Sequence, residues 1–322
     1  MDVLKNIGIS YNGDYILQGS KVDICKKSNK LDINNIELVV SNDLKDIDFI
    51  SFSKYYHNNI IIHLPTININ QTNLKNIKEI VSDIKKTNIS LVTINASSLL
   101  SDAYEWGVVE EQQNYIKNIS SGLASLASLG INIGIENVSY YKDDLLFGNS
   151  ISSIKDILIQ AKKILVNDYE ISSEDANKII GISLNIENLN KTNQLNKIND
   201  WINVFKNDIK CIKIDNYENN IISFNELLDL IISNNIDKPV LLNYSNELEE
   251  VNDYYSRFKH IINNKVNNMP LNFDNYKKVL GSKEKRVLEL KVSQAGFANF
   301  TIMVIIVLTI ICAVLMLMIH FR

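Results

Sequence analysis

The stretch GISLNIEN, residues 181–188, indicates the fold more clearly than any other part of the chain. Its isoleucines and leucine alternate with Ser183 and Asn185, and a period of two is typical of a β-strand with different side chains on its two faces. Glu187 follows at once, so we predict that polar groups collect at the carboxyl end of this strand. The stretch therefore predicts a buried strand that carries a candidate site.

Seven other stretches are equally short and rich in β-branched residues, and we predict them as strands: NIGIS (6–10), IELVV (36–40), IIIHLP (60–65), LVTIN (91–95), INIGIEN (131–137), IKCIKIDN (209–216) and PVLLNYS (239–245). Segments with helical spacing lie between them, for example residues 73–86. Eight strands that are mostly followed by helices predict an α/β fold, a (β/α)₈ TIM barrel over residues 1–264. A doubly wound open sheet is the competing fold, but it usually has a glycine-rich first turn, which SYNGDY (10–15) does not supply.

The C-terminal part of the sequence has a different character. Residues 300–319 contain no charged side chain, and a helix of this length spans roughly 30 Å, the thickness of a bilayer's hydrocarbon core. We therefore predict one transmembrane helix over residues 297–320, joined to the barrel by a polar and basic linker over residues 265–296. The basic excess before the apolar run predicts a single-pass, tail-anchored protein of the cell membrane whose large N-terminal domain is cytoplasmic.

Composition excludes some classes of function. The formal net charge of −4 and the pI of about 5.7 argue against a nucleic-acid partner. Cys25, Cys211 and Cys312 lie far apart and are odd in number, which argues against a disulfide framework or a zinc knuckle and fits a reducing compartment.

The barrel hypothesis can be tested on the alternation within each strand, because inward side chains alternate with outward ones that pack on helices. If the isoleucines of the later strands face the helices, the polar residues face inward and gather at the carboxyl ends of the strands, where barrel active sites lie. The predicted inward residues are Gly134, Glu136, Ser183, Asn185, Cys211, Lys213, Asp215, Leu241 and Asn243.

IIIHLP, LVTINASSL, IGIENVS, GISLNIENLN and CIKIDN, in this order and spacing, resemble the xylose isomerase-like TIM barrels. This superfamily includes sugar-phosphate isomerases and epimerases and the endonuclease IV group, and the resemblance runs from about Lys5 to about Asn264. It implies that His63 matches a family histidine that is a metal ligand or substrate contact. It also implies that Glu136 matches a glutamate that binds a divalent metal.

Other positions depart from the pattern that the resemblance implies. Asparagine or lysine stands where the family has histidine, aspartate or glutamate, at Asn95, Asn185, Asn188, Lys213 and Asn243. A catalytic metal needs about three ligands drawn from imidazole, carboxylate or thiolate, whereas amides are weak donors and an ammonium repels a cation. We therefore expect no metal cofactor; if manganese or zinc does bind, His63 and Glu136 are the candidate ligands.

The ammonium of Lys213 suits Glu136, which would otherwise be a buried carboxylate without a partner. We predict an ion pair or shared hydrogen-bond network between Lys213 and Glu136, which Glu187 and Asp215 could join. The candidate catalytic residues are Glu136, Lys213 and His63. The candidate ligand-binding residues are Asn95, Asn185, Glu187, Asp215 and Asn243.

Three functions follow from this reading. The first is a membrane-tethered binding module or pseudoenzyme that accepts a small polar ligand, a sugar or sugar phosphate, without metal chemistry. The second is an active isomerase or epimerase with Glu136 as the base, with or without a divalent metal. The third, a DNA-repair endonuclease, is opposed by the acidic balance and by the missing ligands.

Overall fold

The computed structural model describes residues 6–11, 21–39, 53–64, 79, 82–95, 109–138, 148, 150–214, 221–244 and 248–266. These residues belong to one compact unit, Met1–Val266. The predicted membrane helix and almost all of the predicted linker lie outside them. Among the described residues, no helix is both long and apolar enough to cross a membrane.

Eight parallel strands pair in chain order, and the eighth pairs with the first to close a barrel. All eight predicted strands are present: β1 (Ile7–Tyr11), β2 (Asn35–Val39), β3 (Asn59–Leu64), β4 (Ile89–Asn95), β5 (Ile133–Glu136), β6 (Ile180–Asn185), β7 (Ile209–Ile214) and β8 (Val240–Tyr244). Closure excludes the doubly wound open sheet and confirms the TIM barrel.

In the described part of the chain, helices follow β1 and each strand from β4 to β8. They are α1 (Lys21–Lys30), α2 (Val109–Ala127), α3 (Ile151–Asp168), α4 (Ser173–Ile179), α5 (Ile186–Lys191), α6 (Ile198–Phe205), α7 (Ile221–Ser233) and α8 (Val251–Val266), with 3₁₀ turns at Leu195–Lys197 and Leu248–Glu250. Local sequence sets where these helices begin. For example, the hydroxyl of Ser150 accepts a hydrogen bond from the backbone N–H of Ser153 and so caps α3.

The carboxyl end of β6 differs from the prediction. The strand ends at Asn185 and α5 begins at Ile186, so Glu187 and Asn188 lie in the first turn of a helix and not on the strand. The physical reason is the side chain of Asn185, whose Oδ1 accepts a hydrogen bond of 3.2 Å from the backbone N–H of Asn188. This N-cap satisfies a donor that the first helical turn leaves free.

Gly181, at the start of β6, is required by a close backbone approach. A Cβ atom at this position would lie 2.0 Å from the carbonyl oxygen of Asp208, which is far too close. That carbonyl accepts a hydrogen bond of 2.8 Å from the N–H of Ile182. Glycine thus lets β6 pair closely with the segment that leads into β7.

The interior of the barrel has an apolar layer and a polar layer. Ile61, Leu91, Cys211 and Leu241 form one buried cluster, which we call the apolar floor. Two residues further along the same strands come the polar residues His63, Thr93, Lys213 and Asn243. The predicted inward alternation is therefore confirmed for the described residues, and it places a polar layer toward the carboxyl ends of the strands.

Candidate functional site

Lys213, on β7, lies at the centre of the polar layer. Its ammonium is 2.5 Å from Oε2 of Glu136 on β5 and 2.6 Å from Oε1 of Glu37 on β2. It also lies 3.2 Å from Nδ1 of His63 on β3. We call these four residues the ion cluster. The predicted pair of Lys213 and Glu136 is present, and a second carboxylate joins it.

The charged side chains of the ion cluster are almost completely buried, which strengthens the attraction between them. The side chains of Lys213 and Glu136 are 4% and 6% exposed, and that of Glu37 is 0% exposed. Charges that are this deeply buried must be paired and hydrogen-bonded, because each loses its hydration. With two carboxylates, one ammonium and a neutral imidazole, the ion cluster carries a formal charge of about −1.

Hydroxyl groups hold Glu37 from two sides. Ser10 Oγ donates to Glu37 Oε2 at 2.6 Å, and Thr93 Oγ1 donates to Glu37 Oε1 at 2.8 Å. These bonds fix the carboxylate orientation independently of Lys213.

Amide groups hold Glu136 on the other side of the ammonium. Asn185 Nδ2 donates to Glu136 Oε1 at 2.8 Å. The side chain of Asn137 in turn clamps the backbone of Asn185, accepting from its N–H at 2.7 Å and donating to its carbonyl at 2.9 Å. Asn188 completes the arrangement by donating from Nδ2 to the carbonyl of Asn137 at 2.7 Å. The polar end of GISLNIEN therefore orients Glu136.

His63 is the most exposed member of the ion cluster, with 14% of its side chain accessible. Its Nδ1 is 2.8 Å from Thr93 Oγ1 and 3.5 Å from Glu136 Oε2. Burial lowers the pKa of His63, and the neighbouring ammonium of Lys213 lowers it further. The imidazole is therefore neutral at pH 7.

Glu136 and Lys213 are charged because pairing outweighs burial. Burial alone would raise the pKa of Glu136, but Lys213, followed by His63 and Asn185, lowers it overall. Burial alone would lower the pKa of Lys213, yet Glu136 and then Glu37 raise it above its ordinary value. An amine with a raised pKa stays protonated and is a poor nucleophile.

The remaining predicted site residues differ in their position and in their hydrogen-bond partners. Asn95 pairs in register with Glu136 on the neighbouring strand, and its Oδ1 is buried without a hydrogen-bond partner in the described part of the chain. Asn243 is buried, and its backbone carbonyl accepts from the hydroxyl of Tyr254 at 2.6 Å. Asp215 lies outside the described residues.

Glu187 does not join the ion cluster. It is 28% exposed and pairs with Lys191 one turn along α5. Its predicted participation in the network with Lys213 was wrong, because α5 begins one residue before it and carries its side chain to a helical position. Its predicted role as a ligand contact stays a prediction.

Sequence reasoning missed Glu37, the second carboxylate on Lys213. The signal was present in IELVV, where Glu37 stands between Ile36 and Leu38 and so faces inward if they face the helices. Thr93 and Asn137 were also missed, and their neutral side chains gave no comparable signal.

The barrel has the same fold as several solved structures of sugar epimerases and isomerases. D-psicose 3-epimerase of Clostridium cellulolyticum H10, solved with D-tagatose, has a TM-score of 0.58 and 10% identity over 74% of this chain and 85% of that chain. A D-tagatose 3-epimerase-like protein has a TM-score of 0.58 and 17% identity over 81% and 99% of the two chains.

A sugar phosphate isomerase/epimerase from Parabacteroides distasonis has a TM-score of 0.54 and 12% identity over 79% of this chain and 94% of that chain. No protein-family model matches the sequence, and no curated protein matches it. At these identities the similarity establishes a shared fold, and function has to be argued from the site.

Proposed function

We propose that the barrel binds a small polar ligand, such as a sugar, and that the ammonium of Lys213 replaces the divalent metal of isomerase barrels. The observation that carries the proposal is the position of this ammonium, 2.5 Å and 2.6 Å from two buried carboxylates. In this account the protein is a binding module or pseudoenzyme.

The residues of the ion cluster do not fit a divalent metal ion while Lys213 is in place. A metal held by Glu37 and Glu136 would lie against the ammonium that both carboxylates already contact. At about 4 Å and an effective dielectric constant of about 20, that repulsion is about 8 kcal/mol for a divalent ion.

The same contacts disfavour Glu136 as a general base. A base works best when its pKa lies near the working pH, whereas pairing with Lys213 lowers the pKa of Glu136. Oε1 of Glu136 is also occupied by the amide of Asn185. The active isomerase is therefore the less supported function.

A sugar ligand is supported by the fold and by the polarity of the layer. One structural neighbour was solved with D-tagatose and another in the presence of D-fructose. His63 is the member of the ion cluster that a ligand can reach, since it alone is more than a tenth exposed. An imidazole and nearby amides can hydrogen-bond hydroxyl groups without bearing charge.

The proposal includes a membrane tether. The uncharged run at residues 300–319 is long enough to span a bilayer, and the basic residues before it favour a cytoplasmic barrel. Carbonate extraction of membranes from expressing cells tests this part: the full chain should stay in the pellet, and a chain truncated after residue 296 should be released. Release of the full chain would contradict the tether.

The binding function is tested on the detergent-solubilised full chain with D-fructose, D-tagatose and D-fructose 6-phosphate. We expect at least one of them to raise the melting temperature, equally with EDTA and with Mn²⁺, because a ligand that binds only the folded state stabilises it. His63→Ala should weaken this shift, whereas Glu174→Gln, at a 79% exposed side chain on α4, should keep it. Proton NMR in D₂O should show no exchange of sugar C–H hydrogens.

Each result decides between the functions. Stoichiometric bound metal, or metal-dependent exchange of a C–H hydrogen, would establish the isomerase instead. The absence of a shift with every sugar in the set would contradict a sugar-binding module of this kind.

A further inference from the structure

Three metal-type ligand atoms from three different strands converge on the nitrogen of Lys213. They are Glu37 Oε1 at 2.6 Å, Glu136 Oε2 at 2.5 Å and His63 Nδ1 at 3.2 Å. Carboxylate oxygens and imidazole nitrogens are the groups that bind zinc and manganese in proteins. The ammonium thus occupies the point at which a cation would be coordinated.

We propose that Glu37, His63 and Glu136 form a cation pocket whose resident cation is the ammonium of Lys213, and that removing this amine opens the pocket to a divalent metal ion. The inference rests on the role proposed above for Lys213. The inference extends that role because it assigns three ligands to one pocket. One of them, Glu37, was not implied by the resemblance to isomerase barrels.

The ligands are held by groups other than Lys213, so the pocket should survive its removal. Ser10 and Thr93 donate to Glu37, at 2.6 Å and 2.8 Å. Asn185 donates to Glu136 at 2.8 Å. Such outer hydrogen bonds orient metal ligands and raise the affinity of a site.

Charge and distance favour a metal once the amine is gone. Without Lys213 the pocket would hold two buried carboxylates and no cation, and a divalent ion would neutralise them. Zinc–oxygen and zinc–nitrogen bonds are about 2.0–2.2 Å long. The carboxylate oxygens lie 2.5 Å and 2.6 Å from the nitrogen of Lys213, so each would move only a few tenths of an ångström toward a metal at that position. Nδ1 of His63 lies at 3.2 Å and would move by about 1 Å.

Lys213→Ala in the full chain tests the inference, with Mn²⁺ and Zn²⁺ as probes. We expect about one metal ion per chain after desalting, measured by elemental analysis, and a rise of about 5 °C in melting temperature at saturating Mn²⁺. The native chain should show neither effect. Propylammonium, which resembles the missing part of the side chain, should also stabilise Lys213→Ala and not the native chain.

A matched control removes one ligand. Lys213→Ala combined with Glu37→Gln keeps the vacated volume but should bind Mn²⁺ at least about tenfold more weakly. Equal binding by the double variant would place the metal elsewhere and overturn the inference. A folded Lys213→Ala chain that binds neither metal would overturn it as well.

Failure to fold is also decisive. If Lys213→Ala does not melt cooperatively alone, Mn²⁺ or Zn²⁺ must restore cooperative melting, and failure with both metals would overturn the inference. Metal on the native chain would instead contradict the proposed function. The two proposals can therefore fail separately.

Discussion

The two layers inside the barrel are built by the same strands, but different interactions stabilise them. In the apolar floor, Ile61, Leu91, Cys211 and Leu241 need only fill the space between the strands. Two residues further along, each group of the ion cluster depends on a particular partner at 2.5–3.2 Å. The comparison indicates that packing holds the apolar floor together, whereas specific pairing of buried charges holds the ion cluster together.

Breaking the ion cluster should have the largest effect on stability. Lys213→Met leaves Glu37 and Glu136 buried without their cation, and we expect a loss of about 3–5 kcal/mol in the free energy of unfolding, measured by urea denaturation. A control that also carries Glu37→Gln and Glu136→Gln removes the buried charges and should recover most of the loss. A neutral effect of Lys213→Met would show that its pairing is not required.

Opening a cavity in the apolar floor should have a slightly smaller effect. Leu241 is fully buried, and Leu241→Ala should cost about 2–4 kcal/mol through lost burial and the cavity that remains. The loss should be the same at pH 5.5 and pH 8, because the floor carries no charge. A strong pH dependence of this loss would mean that the two layers are not independent.

The free energy of unfolding should depend on pH through the ion cluster and not through the apolar floor. Because the pKa of His63 is lowered in the folded state from an ordinary value of 6.5, the unfolded chain binds more protons just below pH 6.5. The free energy of unfolding should therefore fall as the pH falls from 7 to 5.5, and His63→Gln should reduce this slope. An unchanged slope in His63→Gln would assign the dependence to other groups.

The charged members act in other pH windows. The lowered pKa of Glu136 contributes stability that is present above its ordinary value of 4.5 and lost as the pH falls through the folded value. The raised pKa of Lys213 contributes stability that is present below 10.5 and lost as the pH rises beyond it. Neither window overlaps the range assigned to His63.

The exposed pair on α5 should show the smallest effect. Glu187 and Lys191 are 28% and 52% exposed, and exposed pairs contribute about 0–1 kcal/mol. Glu187→Gln should change the free energy of unfolding by less than about 0.5 kcal/mol. A change above about 1 kcal/mol would show that this exposed pair contributes more than such pairs usually do.

Much of the fold could be predicted because alternation leaves a strong signal. Ile182 and Leu184 fixed the direction of Ser183 and Asn185, and the same logic placed Lys213 beside Glu136. The end of β6 could not be predicted this way. Ile186 fits either the strand alternation or the first position of a helix, and the cap formed by Asn185 decides between them.

The partners of the candidate site were harder to predict than its centre. Glu37 lies on β2, far in sequence from Lys213, and only closure of the barrel brings the two together. The hydroxyls of Ser10 and Thr93 have no distinctive sequence context, although they orient Glu37. The alternation within a single strand therefore does not predict which side chains meet across the closed barrel.

Anomalous diffraction from crystals of the native protein soaked in Mn²⁺ tests the central claim most directly. We predict that the ammonium of Lys213 lies within hydrogen-bonding distance of both carboxylates and that no anomalous peak appears in the ion cluster. A manganese peak coordinated by His63 and Glu136, with the ammonium displaced, would contradict the account.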